Sequence, residues 1–165
     1  MLYYSDNNYF FITCRTNLQK KYFIDNNKKE IVLDQLFRVE RECEIKFDAF
    51  SILSNHYHLL FYLENGNDLK KIMQMINGGV SYKLNKVDKI NRVIWQDYYN
   101  RNVYSKKAYF NIMGYIVANP FKHRLVKSID DLASYPFCNY KEKIEEFGKH
   151  GINEIIYNIK NLNWE

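Results

Sequence analysis

The chain has 165 residues, 47% of them apolar, and a formal charge of +5. That is one domain with room for a real core, and it excludes a disordered or low-complexity chain. The charge permits a polyanionic partner without establishing one.

No apolar run is long enough to cross a bilayer, and residues 1–8 lack the basic-then-apolar order of a signal peptide. Cys14, Cys43 and Cys138 are odd in number and far apart. They fit reduced thiols in a cytosolic protein, not a disulfide framework or a zinc ribbon.

In chain order, Tyr9 to Arg15 is a run of β-formers and predicts the first strand. After the turn-like Asp25-Asn26-Asn27, a helix is expected from about Lys28 to Glu44. Its apolar stripe is Val32, Leu36, Val39 and Cys43. Lys46 to Leu53 predicts a second strand, and Ser54-Asn55 a tight turn into a third. From Leu69 a second helix carries Ile72, Met73, Ile76, Val80 and Leu84 inward. Gly78-Gly79 marks a bend in it or a close backbone approach. Val93 to Tyr104 is extended and aromatic. A third helix, from about Lys106 to Ala118, is expected to end before Pro120.

The order strand, helix, strand, strand, helix, strand predicts a ferredoxin-like βαββαβ sandwich of the α+β class, with an antiparallel sheet. The third helix follows as an addition. No repeat or linker divides the chain, so residues 1–165 read as one domain, with a core of about 9–126 and a C-terminal extension of 127–165. Ile152 to Leu162 is expected to be a short helix.

The third strand carries the chemistry. Alternation along Ser54-Asn55-His56-Tyr57-His58-Leu59-Leu60-Phe61 sends His56 and His58 to one face. Tyr57, Leu59 and Phe61 go to the other, which has the character of core. Two imidazoles on one side of a rigid strand can converge on a metal ion. The alternative is a pair of ordinary histidines beside a polar cleft. On the third helix, Tyr115 and Asn119 are four apart and share a face. A tyrosine hydroxyl is a nucleophile once deprotonated or given a sufficiently electrophilic target. Asn119 can offer a neutral oxygen, making three neutral ligands with the histidines and leaving a cation its full charge to polarise a phosphate. With 15 tyrosines in the chain, a ring simply packed on the sheet is the competing reading for Tyr115, and a helix end is the competing reading for Asn119.

Four segments then carry a family resemblance: Asn55-His56-Tyr57-His58-Leu59-Leu60, Ile94-Trp95-Gln96, Tyr115-Ile116-Val117-Ala118-Asn119-Pro120 and Leu132-Ala133-Ser134-Tyr135-Pro136. In order and spacing, from about Tyr9 to Tyr140, the chain resembles the REP-associated tyrosine transposases. These are relatives of the single-tyrosine transposases within the histidine-hydrophobic-histidine (HUH) class of single-strand nucleases.

The resemblance implies that His56, His58 and Asn119 bind Mg2+ or Mn2+, although two imidazoles by softness alone suit zinc or manganese. It implies that Tyr115 attacks a phosphodiester of single-stranded DNA beside a hairpin, leaving a 5′-phosphotyrosine and a free 3′-hydroxyl. It also implies a bacterial-type cytoplasmic setting at the nucleoid, and either a monomer or a homodimer. No G-x-x-x-x-G-K-[ST] loop is present, so no nucleotide triphosphate is expected. The chain departs from the family pattern at Ser54, where proline is usual, and at Tyr104, where an arginine is often found. It departs again at Phe121-Lys122-His123-Arg124, where small residues are typical.

For the DNA backbone the candidate contacts are Arg15, Lys83, Arg101, Lys122 and Arg124, with Tyr98, Tyr99 and Phe121 as stacking partners for unpaired bases. His123 and His150 read as structural or surface residues. Three functions compete: a DNA-cleaving and joining enzyme, a non-catalytic domesticated binder of hairpin DNA or RNA, and a metal phosphoesterase using activated water.

Overall fold

The computed structural model describes residues 6–159. Among them, four strands form one antiparallel sheet in the order β2-β3-β1-β4: β1 (Asn8–Arg15), β2 (Phe47–Ile52), β3 (His56–Leu63) and β4 (Tyr99–Val103). Helices α1 (Asn26–Cys43) and α2 (Asp68–Asp88) join them in the βαββαβ order of a ferredoxin-like sandwich. Two further helices follow, α3 (Lys106–Lys122) and α4 (Tyr140–Ile159).

Each element has a local cause. Asp25 caps α1 by accepting from the Asn27 N–H at 2.9 Å, and Glu44 ends it in the left-handed region at φ 52°. Ser105 caps α3 through the Ala108 N–H. Ser54-Asn55 forms the expected two-residue turn, closed by the Leu53 N–H on the His56 carbonyl at 2.8 Å. The loop after β1 holds that turn from outside: Thr16 N–H bonds the Asn55 carbonyl and Phe23 N–H bonds the Ser54 carbonyl. The start of β3 is therefore pinned on both sides.

The sheet is covered on both faces. Tyr57, Leu59, Phe61 and Leu63 join Val32, Leu36, Ile72 and Ile76 of α1 and α2 in one apolar cluster. Phe11, Leu60 and Val103 join Ile112, Ile116 and Ile156 of α3 and α4 in the other. A fully buried side chain of this kind contributes about 1.5–3 kcal/mol, so both layers are held firmly. The histidine face is thus core as well, interrupted by polar residues at one end of β3.

Two expectations need correction. The helix after residue 106 does not stop before Pro120 but runs on to Lys122. Pro120 removes one N–H, and the turn is closed past it by His123 N–H to the Asn119 carbonyl and Leu125 N–H to the Pro120 carbonyl, each 2.9 Å. Of the two outcomes expected at Gly78-Gly79, a bend or a close approach, α2 shows the close approach. At Gly79 a Cβ would strike the buried side chain of Gln35, so the glycine serves the close approach of α1 to α2. The C-terminal helix begins at Tyr140, well before Ile152, and breaks at Gly148 (φ 72°, ψ 155°). Leu162 lies outside the described residues. Before that helix, Asn139 bonds the edge of β2, accepting from Phe50 N–H at 3.0 Å and donating to the Asp48 carbonyl at 3.0 Å. This covers an edge that would otherwise be open to pairing.

Candidate active site

His56 and His58 open β3, opposite Arg15 and Thr13 of β1 in the antiparallel register. Both are buried, at 8% and 3% exposure. Their rings stand 5.0 Å apart between centroids. The Nδ1 of His56 lies 2.8 Å from the Asn55 amide oxygen. A carboxamide oxygen only accepts, so Nδ1 carries the proton and Nε2 keeps its lone pair. The Nδ1 of His58 pairs with the Thr13 hydroxyl at 2.9 Å. Its Nε2 is buried and has no hydrogen-bond partner.

Helix α3 packs across β2 and β3 and brings the other two residues to this place. The Tyr115 ring is half-buried, 5.3 Å from the His58 ring and edge-on to Phe11 at 6.2 Å. The Lys122 ammonium sits over the Tyr115 ring at 5.2 Å. Asn119 is fully buried, and its amide oxygen closes no hydrogen bond of good geometry. Leaving such an atom unpaired in a protein interior costs about 1–3 kcal/mol. Two of the proposed metal-ligand atoms, His58 Nε2 and Asn119 Oδ1, thus carry that cost on the same patch.

The electrostatics keep both imidazoles neutral. Burial, with His123 and Arg15 next, lowers the His56 pKa to about 4, and the nearby Asn119 carboxamide offsets only part of this. Burial, then His56 and His123, holds His58 well below the ordinary histidine value. Neutral imidazoles are the form that binds metals. The donor set of two buried imidazoles and a neutral amide oxygen fits a divalent cation of borderline softness. Among the described residues no three His, Cys, Asp or Glu side chains form a closed metal site as they stand. The other candidate donor at this patch is the carboxamide of Asn119, whose oxygen has no hydrogen-bond partner.

The candidate DNA contacts divide by place. Arg15 ends β1 across from His56, and Lys122 lies over Tyr115. Arg124 follows the end of α3, at φ 58°. Arg101 pairs with Phe11 in the β1–β4 register and so belongs to the histidine face. Lys83 stands on α2, across the sheet, so the structure does not group it with the others. Of the three aromatics, Tyr99 is exposed and pairs with Thr13, whereas Tyr98 packs against the opposite core and Phe121 against the α3–α4 core.

Sequence reasoning missed His123. Its ring is 5.0 Å from that of His56, at the C-terminal cap of α3. The signal was the four-residue step Tyr115, Asn119, His123, hidden by the assumption that the helix ends at Pro120. Also missed was an aromatic groove at the far end of the same sheet face, lined by Tyr9, Tyr62, Tyr104, Lys106 and Tyr109.

The chain is similar to proteins of known family and fold. A family model described as IS200-like transposase matches residues 4–119. The fold is similar to a solved structure described as a REP-associated tyrosine transposase bound to a REP hairpin. That likeness has a TM-score of 0.71 and 21% identity, over 88% of this chain and 84% of that one. A putative transposase from Deinococcus radiodurans R1 gives a TM-score of 0.48 and 14% identity, over 68% of this chain and 91% of that one. No curated protein matches significantly. Because the family model spans well over half the chain, the chain belongs to the IS200-like transposases, a family of DNA-processing enzymes.

Proposed function

We propose that this transposase cleaves and rejoins single-stranded DNA by transesterification, with Tyr115 as nucleophile and a divalent cation, Mg2+ or Mn2+, held by His56, His58 and Asn119. The observation that carries the reading is the meeting of a half-buried tyrosine with unpaired ligand atoms, the His58 and Tyr115 rings being 5.3 Å apart. Both groups come from one chain, so the pairing needs no second subunit.

In the proposed step the Tyr115 oxygen attacks phosphorus, its proton passing to solvent. An O–P bond to tyrosine forms as the bond to the 3′-oxygen breaks, and that oxygen takes up a proton as the free 3′-hydroxyl. The cation would polarise the scissile phosphate. The residues of the chain hold the geometry. Asn55 and Thr13 orient the two imidazoles, and Arg15 and Lys122 add positive charge where the phosphate must lie. The ester energy stays in the phosphotyrosine, so rejoining needs no nucleotide triphosphate.

The substrate we infer is a strand beside a hairpin, a reading supported by the similar solved structure, which is bound to a REP hairpin. Tyr99, and the groove around Tyr62 and Tyr104, would stack unpaired bases on either side of the scissile bond. A substrate of that kind would keep the protein with chromosomal DNA at the nucleoid. Among the described residues no helix is long and apolar enough to cross a membrane.

The test is a denaturing gel after incubation of labelled hairpin-flanked oligonucleotide with protein and Mn2+. A retarded, protease-sensitive band is expected, and Tyr115→Phe should abolish it, a loss of at least about a thousandfold in a nucleophile variant. An adduct that survives Tyr115→Phe overturns the nucleophile. Nicking that survives without an adduct favours the water-using phosphoesterase. Metal-independent binding with no nicking favours the non-catalytic binder.

A further inference from the structure

His123 is the one histidine near the site that the proposed chemistry leaves without a role. It stands four residues after Asn119, and its backbone N–H is fixed to the Asn119 carbonyl at 2.9 Å, so its position is tied to a proposed ligand. The side chain is exposed. The centroid separations His56–His58 and His56–His123 are both 5.0 Å. An imidazole nitrogen binds zinc at about 2.0–2.1 Å, so two rings sharing one ion hold centroids roughly 4.5–5.5 Å apart. Both separations fall in that range.

We propose that His123 turns onto the cation bound by His56, His58 and Asn119 as a third imidazole ligand, and so shifts the site's preference from Mg2+ toward zinc-like transition ions. The inference rests on the reading that these residues hold a cation, and it adds a ligand to that set. At rest the three histidines do not close a site by themselves. The His123 side chain is exposed at the helix end, and Asn55 and Thr13 orient His56 and His58. Each imidazole added to a site favours Co2+ and Zn2+ over Mg2+, which keeps oxygen ligands and water. Three nitrogens and an amide oxygen are all neutral, so the full charge of the ion still faces a phosphate. The departure of residues 121–124 from small side chains then has a chemical consequence rather than a merely steric one.

The experiment uses the full chain, stripped of metal and titrated with Mg2+, Co2+ or Zn2+ alone, as wild type, His123→Ala and His58→Ala. Affinities come from calorimetry or chelator competition, and the ligand field from Co2+ absorption. Metal-free melting curves confirm that each variant is folded. His123→Ala should weaken Zn2+ and Co2+ binding tenfold or more, leave Mg2+ within about twofold and alter the Co2+ spectrum. His58→Ala should lose binding of all three. If His123→Ala leaves affinities and spectrum unchanged while His58→Ala abolishes binding, His123 is a bystander and this inference is overturned alone. If His58→Ala still binds as wild type does, the cation site itself is misplaced and both readings fail.

Discussion

At the residue scale the site is a cluster of polar atoms set into a hydrophobic layer. His58 shows the logic: its ring stacks on Phe11 at 5.7 Å, its Nδ1 is satisfied by Thr13, and its Nε2 is buried without a partner. Such placement makes the imidazole a poor base and a ready ligand. It has a consequence for the metal-free protein. The folded His56 value of about 4 lies below the 6.5 of an ordinary histidine. On acidification the unfolded chain therefore binds this proton first, and stability falls from about pH 6.5 down to about pH 4. Urea unfolding of metal-free protein at pH 7.5, 6 and 5 should show that decline, and His56→Asn should make it shallower, His58 supplying the rest. A His56→Asn slope equal to that of wild type would mean that this ring is not protected from protonation.

At the scale of elements, the arrangement depends on how α3 lies against its neighbours. Gly114, one residue before the proposed nucleophile, is where α4 crosses: a Cβ there would collide with the side chains of Ile155 and Ile159. Gly114→Val should cost about 1–3 kcal/mol by overpacking, read as a lower urea midpoint. It should also loosen Tyr115 by pushing α4 away. A midpoint unchanged within error would show that α4 yields at no cost. On the far face, Tyr57 fixes the histidine strand differently. Its hydroxyl donates to the Asn77 amide oxygen at 2.7 Å, while the Asn77 amide donates to the Cys14 sulfur at 3.3 Å. Tyr57→Phe should destabilise by about 1–2 kcal/mol, because the half-buried Asn77 amide oxygen loses its best donor. Calorimetric unfolding would measure it.

At the scale of the whole molecule, the charge of +5 is modest, so affinity for DNA rests on where the cations lie. Lys122 ends the helix that bears Tyr115 and Arg124 follows it, whereas Lys83 sits across the sheet on α2. Removing a cation that neutralises a phosphate should lower the slope of log affinity against log salt by about one. Lys122→Ala and Arg124→Ala should each do so in filter binding of a single-stranded oligonucleotide, and Lys83→Ala should not. Equal effects for all three would mean that the strand also wraps the α2 side.

The local pattern alone determined the alternation that sets His56 and His58 on one face, the two-residue turn before them and the four-residue step from Tyr115 to Asn119. Each is a property of neighbouring residues, because strand and helix periodicity are local geometry. The βαββαβ order was legible for the same reason. Only the tertiary structure decided the rest. It showed that α3 continues past Pro120, that α4 covers the histidine face, and that His123 arrives beside His56. Those outcomes depend on packing between segments distant in sequence, where one missing N–H is outweighed by the burial of a whole helix face and where an exposed cap residue finds its neighbour only after the sheet and helix have docked.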